Sequence, residues 1–252
     1  MKASFGTTQS WTSLNRSRRS HDVPSRPLKL LSSMATREVL AEIAARYRHD
    51  TARSVITEAA GGVDVAKRVQ AGEAVDAVIL ASNAIDKLIA DNKLLPGSRV
   101  DLVRSGIAIA VRAGKPKPEI SSEDAVKKAV AAARTVCYST GPSGVYLEKM
   151  FERWGILANI RSRIVVPPPG VPVGSLVATG AAEIGFQQLS ELLNVAGIEV
   201  VGPLPRAIQS ITVFSGGISV DCGDPDAARA LLRFMASPEV SDIKTRHGME
   251  AA

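Results

Sequence analysis

From Leu28 onward, short apolar runs of strand length alternate with stretches of helical spacing. That alternation restricts the chain to an α/β fold with a largely parallel sheet. Residues 28–31 are apolar and end in Ser32-Ser33, after which apolar positions recur at helical intervals over 35–47. The unit repeats: a strand over 54–59 meets Gly61-Gly62 and a helix over 63–71, and a strand over 75–80 meets Ser82-Asn83, which suit the cap of a helix over 84–91. Parallel strands require right-handed crossovers, and ligands bind such sheets beyond the carboxyl ends of the strands. Ser32-Ser33, Gly61-Gly62 and Ser82-Asn83 all fall at that edge.

Two longer extended runs interrupt the alternation, over 99–112 and 208–220. Each is long enough to pass from one lobe to another, and two crossings define a hinge with a cleft. The expected architecture is therefore α/β and two-lobed, two Rossmann-like α/β lobes joined by two crossing strands. Residues 27–106 and 209–252 form one lobe and 107–208 the other. Residues 1–26 are Ser-, Thr- and Arg-rich without apolar periodicity and are expected to form a disordered extension. They contain no apolar core of the kind a secretory signal needs. As written, the chain is expected in the cytoplasm, or in the periplasm if its true N-terminus differs.

The richest stretch for chemistry is Y-S-T-G-P-S-G-V-Y, residues 138–146, which reads as a strand end, a glycine turn and the first turn of a helix. Helix N-termini leave N–H groups unpaired and carry partial positive charge, so an anion is stabilised there. Ser139, Thr140 and Ser143 add hydroxyls, Gly141 and Gly144 admit close approach, and Pro142 suits a first helical position. A tight strand-to-helix turn with no ligand would use many of the same residues. Gln187-Gln188 ends an apolar strand, and its two amides point to opposite sides; one faces the cleft, or the pair satisfies loop backbone. Arg104 and Tyr146 are further partners for a carboxylate, and Glu58 and Glu191 are the nearest carboxylates of the loops.

Charge excludes one class of partner. Residues 1–26 hold Lys2, Arg16, Arg18, Arg19 and Arg26 against Asp22, four of the six net positive charges, and the remainder lies within two of neutrality. Nucleic-acid binding needs a basic stripe, and none is present. Cys137 and Cys222 lie far apart without metal-ligand spacing and read as free, buried or semi-buried thiols. His21, His49 and His247 sit away from the glycine loops. No metal and no cofactor is expected.

The order of elements, together with S-S-M-A-T, Q-A-G-E-A-V-D-A-V-I-L and G-A-A-E-I-G-F-Q-Q-L-S-E, resembles the type II periplasmic substrate-binding proteins, and within them the branch similar to molybdate-binding proteins. The resemblance covers residues 28–247. It implies a small anionic ligand held between the lobes by Ser32, Ser33, Met34, Gly61 and Gly62 from one side. From the other side it implies Thr140, Gly141, Pro142, Ser143, Gly144, Val171, Val173, and Gln187 or Gln188. It also implies a monomer whose partners are membrane subunits of an ABC transporter. Molybdate binders of this kind place serines at the first two loops and a tyrosine after the late strand, where this chain has residues near Ala35, Gly61-Gly62 and Gln188. With those hydroxyls missing, a small organic carboxylate suits the site better than molybdate, because a buried dianion without donors pays a large desolvation cost. The same frame carries an aconitate isomerase, which makes proton transfer on a polycarboxylate the alternative activity.

Overall fold

The computed structural model describes residues 26–168 and 170–252. Apart from Arg26, the extension expected over 1–26 lies outside the described residues, as does Pro169. The first units are β1 (Leu28–Ser33), a 3-10 turn at Met34–Thr36, α1 (Arg37–Thr51), β2 (Val55–Ala60), α2 (Gly62–Gln70), β3 (Ala77–Ala81) and α3 (Ser82–Ala90). The long β4 (Val100–Arg112) leads to α4 (Glu123–Ala132), β5 (Val136–Tyr138), α5 (Pro142–Arg153), α6 (Leu157–Ile160) and β6 (Ile164–Val165). Then follow α7 (Val173–Thr179), β7 (Ile184–Gln188), α8 (Leu189–Leu192), β8 (Ile198–Pro203) and β9 (Ile211–Ile218). The chain closes with α9 (Pro225–Ala236), α10 (Ser241–Arg246) and β10 (Glu250–Ala251).

The strands join in the order β2-β1-β3-β9-β4-β7-β5-β6, with β8 and β10 also on β4. β1 runs parallel to β2 and β3, and β5 runs parallel to β6 and β7. β4 joins the two halves by exchanging neighbours at its middle: it pairs with β9 over Val100–Gly106 and with β7 over Ile107–Val111. Side chains alternate faces along a strand, and this sorts the apolar residues into separate cores. Leu28 and Leu30 of β1 and Ala77 and Ile79 of β3 pack against α1 and α9, while Leu31, Val78 and Leu80 pack against α2 and α3. Along β4, Leu102 and Val103 serve the first core, and Ile107 and Ile109 serve that of α4 and α5.

Helix starts follow their caps where a polar residue precedes the first turn. Ser122 accepts from Ala125 N–H at 3.2 Å, and Asp224 accepts from Ala227 N–H at 3.0 Å with Pro225 following. At α3 the expected cap is absent: the strand runs straight into the helix, Ser82 is already helical, and no side chain caps it. The crossing expected over 208–220 is also shorter than its apolar run. A 3-10 turn occupies Arg206–Ile208, and β9 begins at Ile211. Gln209 explains the break, because its side chain substitutes for a backbone rung: Oε1 accepts from Ile107 N–H at 2.8 Å, and Nε2 donates to Ile107 O at 3.0 Å. Gly106 makes room for it, since a Cβ there would lie 3.1 Å from the Gln209 amide.

One core residue opposes stability. Lys244 in α10 is fully buried, and among the described residues its Nζ has no hydrogen-bond partner. Burial therefore pushes its pKa below the ordinary lysine value. A depressed lysine pKa means that the unfolded state binds more protons, so stability rises with pH between the folded and unfolded pKa values. Lys244→Met should stabilise the protein by about 1–3 kcal/mol, the cost of an unsatisfied buried polar group. It should also flatten this alkaline rise, as read from thermal melts across pH.

Candidate functional site

The carboxyl end of β1 supplies two buried hydroxyls. Ser32 and Ser33 are 1% and 7% exposed, yet their contacts are long. Ser32 Oγ lies 3.4 Å from Ser33 O and from Glu58 O, and Ser33 Oγ lies 3.5 Å from Thr36 Oγ1. Good hydroxyl bonds are shorter by about half an ångström, so both hydroxyls retain donor capacity for a stronger acceptor. Thr36, which the sequence reading passed over, is fully buried and ties the 3-10 turn to β1 by donating to Ser33 O at 3.1 Å. Met34 opens that turn and is half-buried.

Gly61 and Gly62 open α2 beside these serines, with no side chain capping the helix. A Cβ at Gly62 would sit 3.9 Å from Ser33 Cβ, which brings the start of α2 against the end of β1. Asp64 folds back toward Gly61: a Cβ there would meet its Oδ2 at 3.0 Å. That carboxylate already answers the dipole of α2.

In the other half, Gly141 caps α5 without a side-chain bond, Pro142 is its first residue, and Ser143 and Gly144 are buried in its first turn. The two glycines differ in role. A Cβ at Gly144 would lie 1.6 Å from the Ser139 carbonyl oxygen, so Gly144 is required by the protein's own backbone. A Cβ at Gly141 would meet only Ser139 Oγ at 3.6 Å, which leaves its surroundings open to a ligand. A cavity of about 380 Å³ lies beside the start of α5; Ser139, Thr140, Gly144, Glu148 and Arg161 are among the residues that line it, and Gly141 is not.

Val171 and Val173 precede and open α7. Their backbone N–H groups are already committed, Val171 to Pro168 O at 3.0 Å and Val173 to Gln187 Oε1 at 3.0 Å, and the Val173 side chain is fully buried. The two glutamines point apart, as their strand positions require. Gln188 turns to the crossing strands, 2.9 Å from Thr212 Oγ1; with its oxygen on that hydroxyl, its nitrogen reaches Ser105 O at 2.9 Å and Gly106 O at 3.3 Å. Gln187 turns to α7 and α8, accepting from Val173 N–H and donating from Nε2 to Glu191 Oε1 at 2.8 Å. Arg104 and Tyr146 are occupied elsewhere: Arg104 pairs with Glu250 at 2.7 Å, and Tyr146 donates its hydroxyl to Ile208 O at 2.9 Å.

Glu191 is the titratable group that the sequence undervalued. It sits in α8, four residues after Gln187, and this spacing becomes a contact only because the helix begins at once after β7. Its neighbour Ser190 donates to Ala35 O at 2.9 Å, which joins the start of α8 to the turn after β1. Burial pushes the Glu191 carboxyl up to about 7, against the lowering pull of Gln187 and of Arg37. Glu58, by contrast, is exposed and paired with Arg68 at 2.7 Å. Among the described residues no group of three His, Cys, Asp or Glu side chains is placed to hold a metal ion. Cys137 is a buried free thiol pushed up to about 12 by desolvation, which leaves it unreactive.

The sequence profile of the bacterial extracellular solute-binding proteins matches residues 28–250. An aconitate isomerase from a Pseudomonas species is 38% identical over 235 residues, which cover 90% of this chain and 88% of that protein. Among solved structures, the periplasmic molybdate-binding protein of Azotobacter vinelandii superposes with a TM-score of 0.74 at 21% identity, over 88% of this chain and 98% of that one. The sulfate-binding protein SubI of Mycobacterium tuberculosis superposes with a TM-score of 0.72 at 12% identity, over 88% and 86% of the two chains. The chain belongs to the bacterial extracellular solute-binding proteins and has the two-lobed type II periplasmic fold.

Proposed function

We propose that the protein captures a small organic carboxylate, and more specifically a polycarboxylate, between lobes formed by residues 27–106 with 209–252 and by 107–208. The observation that carries this reading is the pair of buried, loosely bonded hydroxyls of Ser32 and Ser33. The open backbone at Gly141 and the uncapped start of α5 offer donors from the other half. Donors of this kind hold an anion without a cationic side chain. Gln188 supports a carboxylate over a tetrahedral oxyanion, because the late strand ends there in an amide in place of the hydroxyl that molybdate binders carry. As a transport component the protein would act as a monomer and deliver its ligand to membrane subunits of an ABC transporter.

A ligand that binds only the folded state stabilises it by about 2.7 kcal/mol at a hundredfold excess over Kd. Thermal melts with citrate, tricarballylate, cis- and trans-aconitate, molybdate and sulfate should show upward shifts of several degrees for polycarboxylates and smaller ones for the oxyanions. Ser32→Ala combined with Ser33→Ala should reduce the shift. No shift with any carboxylate at millimolar concentration would reject the reading.

A second reading is isomerisation of a polycarboxylate by proton transfer. It is favoured by the enclosed Glu191 carboxyl, held near neutrality by burial, and by the 38% identity to an aconitate isomerase along nearly all of both chains.

A further inference from the structure

We propose that Glu191 is the catalytic base of this site, taking a proton from the methylene carbon of an unsaturated polycarboxylate through its free oxygen, with Gln187 as the residue that positions it. The assignment rests on the isomerase reading.

The geometry follows from a chain of donors that leaves a single arrangement. Val173 N–H can only donate, so the Gln187 group facing it at 3.0 Å is the amide oxygen. The amide nitrogen then points at Glu191 Oε1, 2.8 Å away. Turning the amide over would set its oxygen against the carboxylate and its nitrogen against a donor, so Glu191 is held by one oxygen in one orientation. Among the described residues the other oxygen, Oε2, has no hydrogen-bond partner.

The bond from Ser190 to Ala35 O, 2.9 Å long, places this turn of α8 where the two halves meet, beside the end of β1 with its two serines. The charged side chain acting on Glu191 from the opposite half is Arg37, at the start of α1 and itself tied to Glu38 at 2.8 Å. Burial raises the carboxyl to about 7, which matches a general base to a neutral working pH. The other loop carboxylate, Glu58, is exposed and paired with Arg68, so it meets neither condition.

In the reaction, the Glu191 carboxylate removes a proton from the CH2 that flanks the C=C bond. The C–H electron pair forms a new double bond, and the old π pair moves to the far carbon, delocalised into its carboxylate. The protonated Glu191 then returns the proton to that carbon. One C–H bond breaks and one forms, and no oxidant or other reactant is consumed.

The test uses cis- and trans-aconitate in heavy water with the full chain, followed by NMR. The wild type should interconvert the isomers and incorporate deuterium at the methylene carbon, with a rate that rises with pH through about 7. Glu191→Gln should keep the thermal shift given by trans-aconitate and lose at least about 100-fold in exchange, the usual weight of a general base. Glu191→Asp, which keeps the charge on a shorter arm, should recover part of the rate with a displaced pH limb. This second variant also serves if Glu191→Gln folds poorly. An active wild type with an equally active Glu191→Gln would overturn the assignment alone. A wild type that binds aconitate without exchange would overturn the isomerase reading and the assignment together, and leave the binding reading standing.

Discussion

Gly144→Ala should lower stability by about 3 kcal/mol or more, the upper end of the range for forcing atoms into a packed site. A Cβ there would meet the Ser139 carbonyl oxygen at 1.6 Å, its carbonyl carbon at 2.8 Å and Tyr138 Cδ2 at 3.2 Å. Two of those atoms are backbone and cannot swing aside as a side chain would. The loop between β5 and α5 must move as a unit, and with it Ser139 and Thr140. For a chain of this size each kcal/mol corresponds to roughly 2–4 °C in Tm, so a drop of about 6–12 °C is expected by calorimetry. The ligand-induced shift should fall as well.

Gly141→Ala is the control, because Gly141 has an ordinary extended φ of −73° and an added Cβ meets only Ser139 Oγ at 3.6 Å. It should change stability by no more than about 0.5 kcal/mol, as surface substitutions do. If the proposed anion approaches the start of α5, it should still weaken ligand stabilisation, because the new methyl group would intrude there. Equal stability of Gly144→Ala and the wild type would refute this account of the loop.

The second large effect lies at the opposite end of the strands. Asp76 is 1% exposed and accepts from Arg26 Nη2 at 2.5 Å, from Lys29 N–H at 2.8 Å and from the Cys222 thiol at 3.4 Å. It also joins β1 and the turn after β9 through its backbone, donating to Lys29 O and accepting from Ser219 N–H. Asp76→Ala removes the acceptor of the part-buried Lys29 N–H and should cost about 1.5–3 kcal/mol, the loss of a charge-assisted bond. The Arg26 side chain is more than half exposed, so its ion pair contributes little of that.

Burial raises the Asp76 carboxyl, but the Lys29 N–H and Arg26 outweigh it and hold the pKa below the ordinary aspartate value of 3.8. A depressed carboxylate contributes stability above its unfolded pKa and loses it as pH falls through the folded one. Denaturant melts should therefore show the wild type losing stability below about pH 4, with a shallower loss in Asp76→Asn. Ligand shifts should be unchanged in both Asp76 variants, because the candidate site lies at the carboxyl ends of the strands. A reduced shift would link the two ends and contradict this separation.

Much of the fold was legible in the residues. Strand-length apolar runs and helical spacings located most elements to within a few residues, and Ser122 and Asp224 announced their helices because a cap bonds only to its own first turn. The strand ends that carry Ser32, Gly61 and Gln187 were equally readable, since their position depends on chain order alone. The alternation of Gln187 and Gln188 to opposite sides was also implied by strand geometry.

What each side chain does was another matter. Tyr146 bonds Ile208, Arg104 pairs with Glu250, and Gln209 takes the place of a rung opposite Ile107, each partner lying dozens to more than a hundred residues away. No local pattern encodes such pairs. Glu191 shows the same division most clearly. Its place four residues beyond Gln187 is written in the sequence, but its pKa depends on how much water the surrounding elements exclude. Local periodicity and capping chemistry thus determined the elements, their order and the edge at which the site lies. Only the tertiary structure decided which polar groups are spent on the protein itself and which stay available, because desolvation and long-range pairing arise when distant segments pack together.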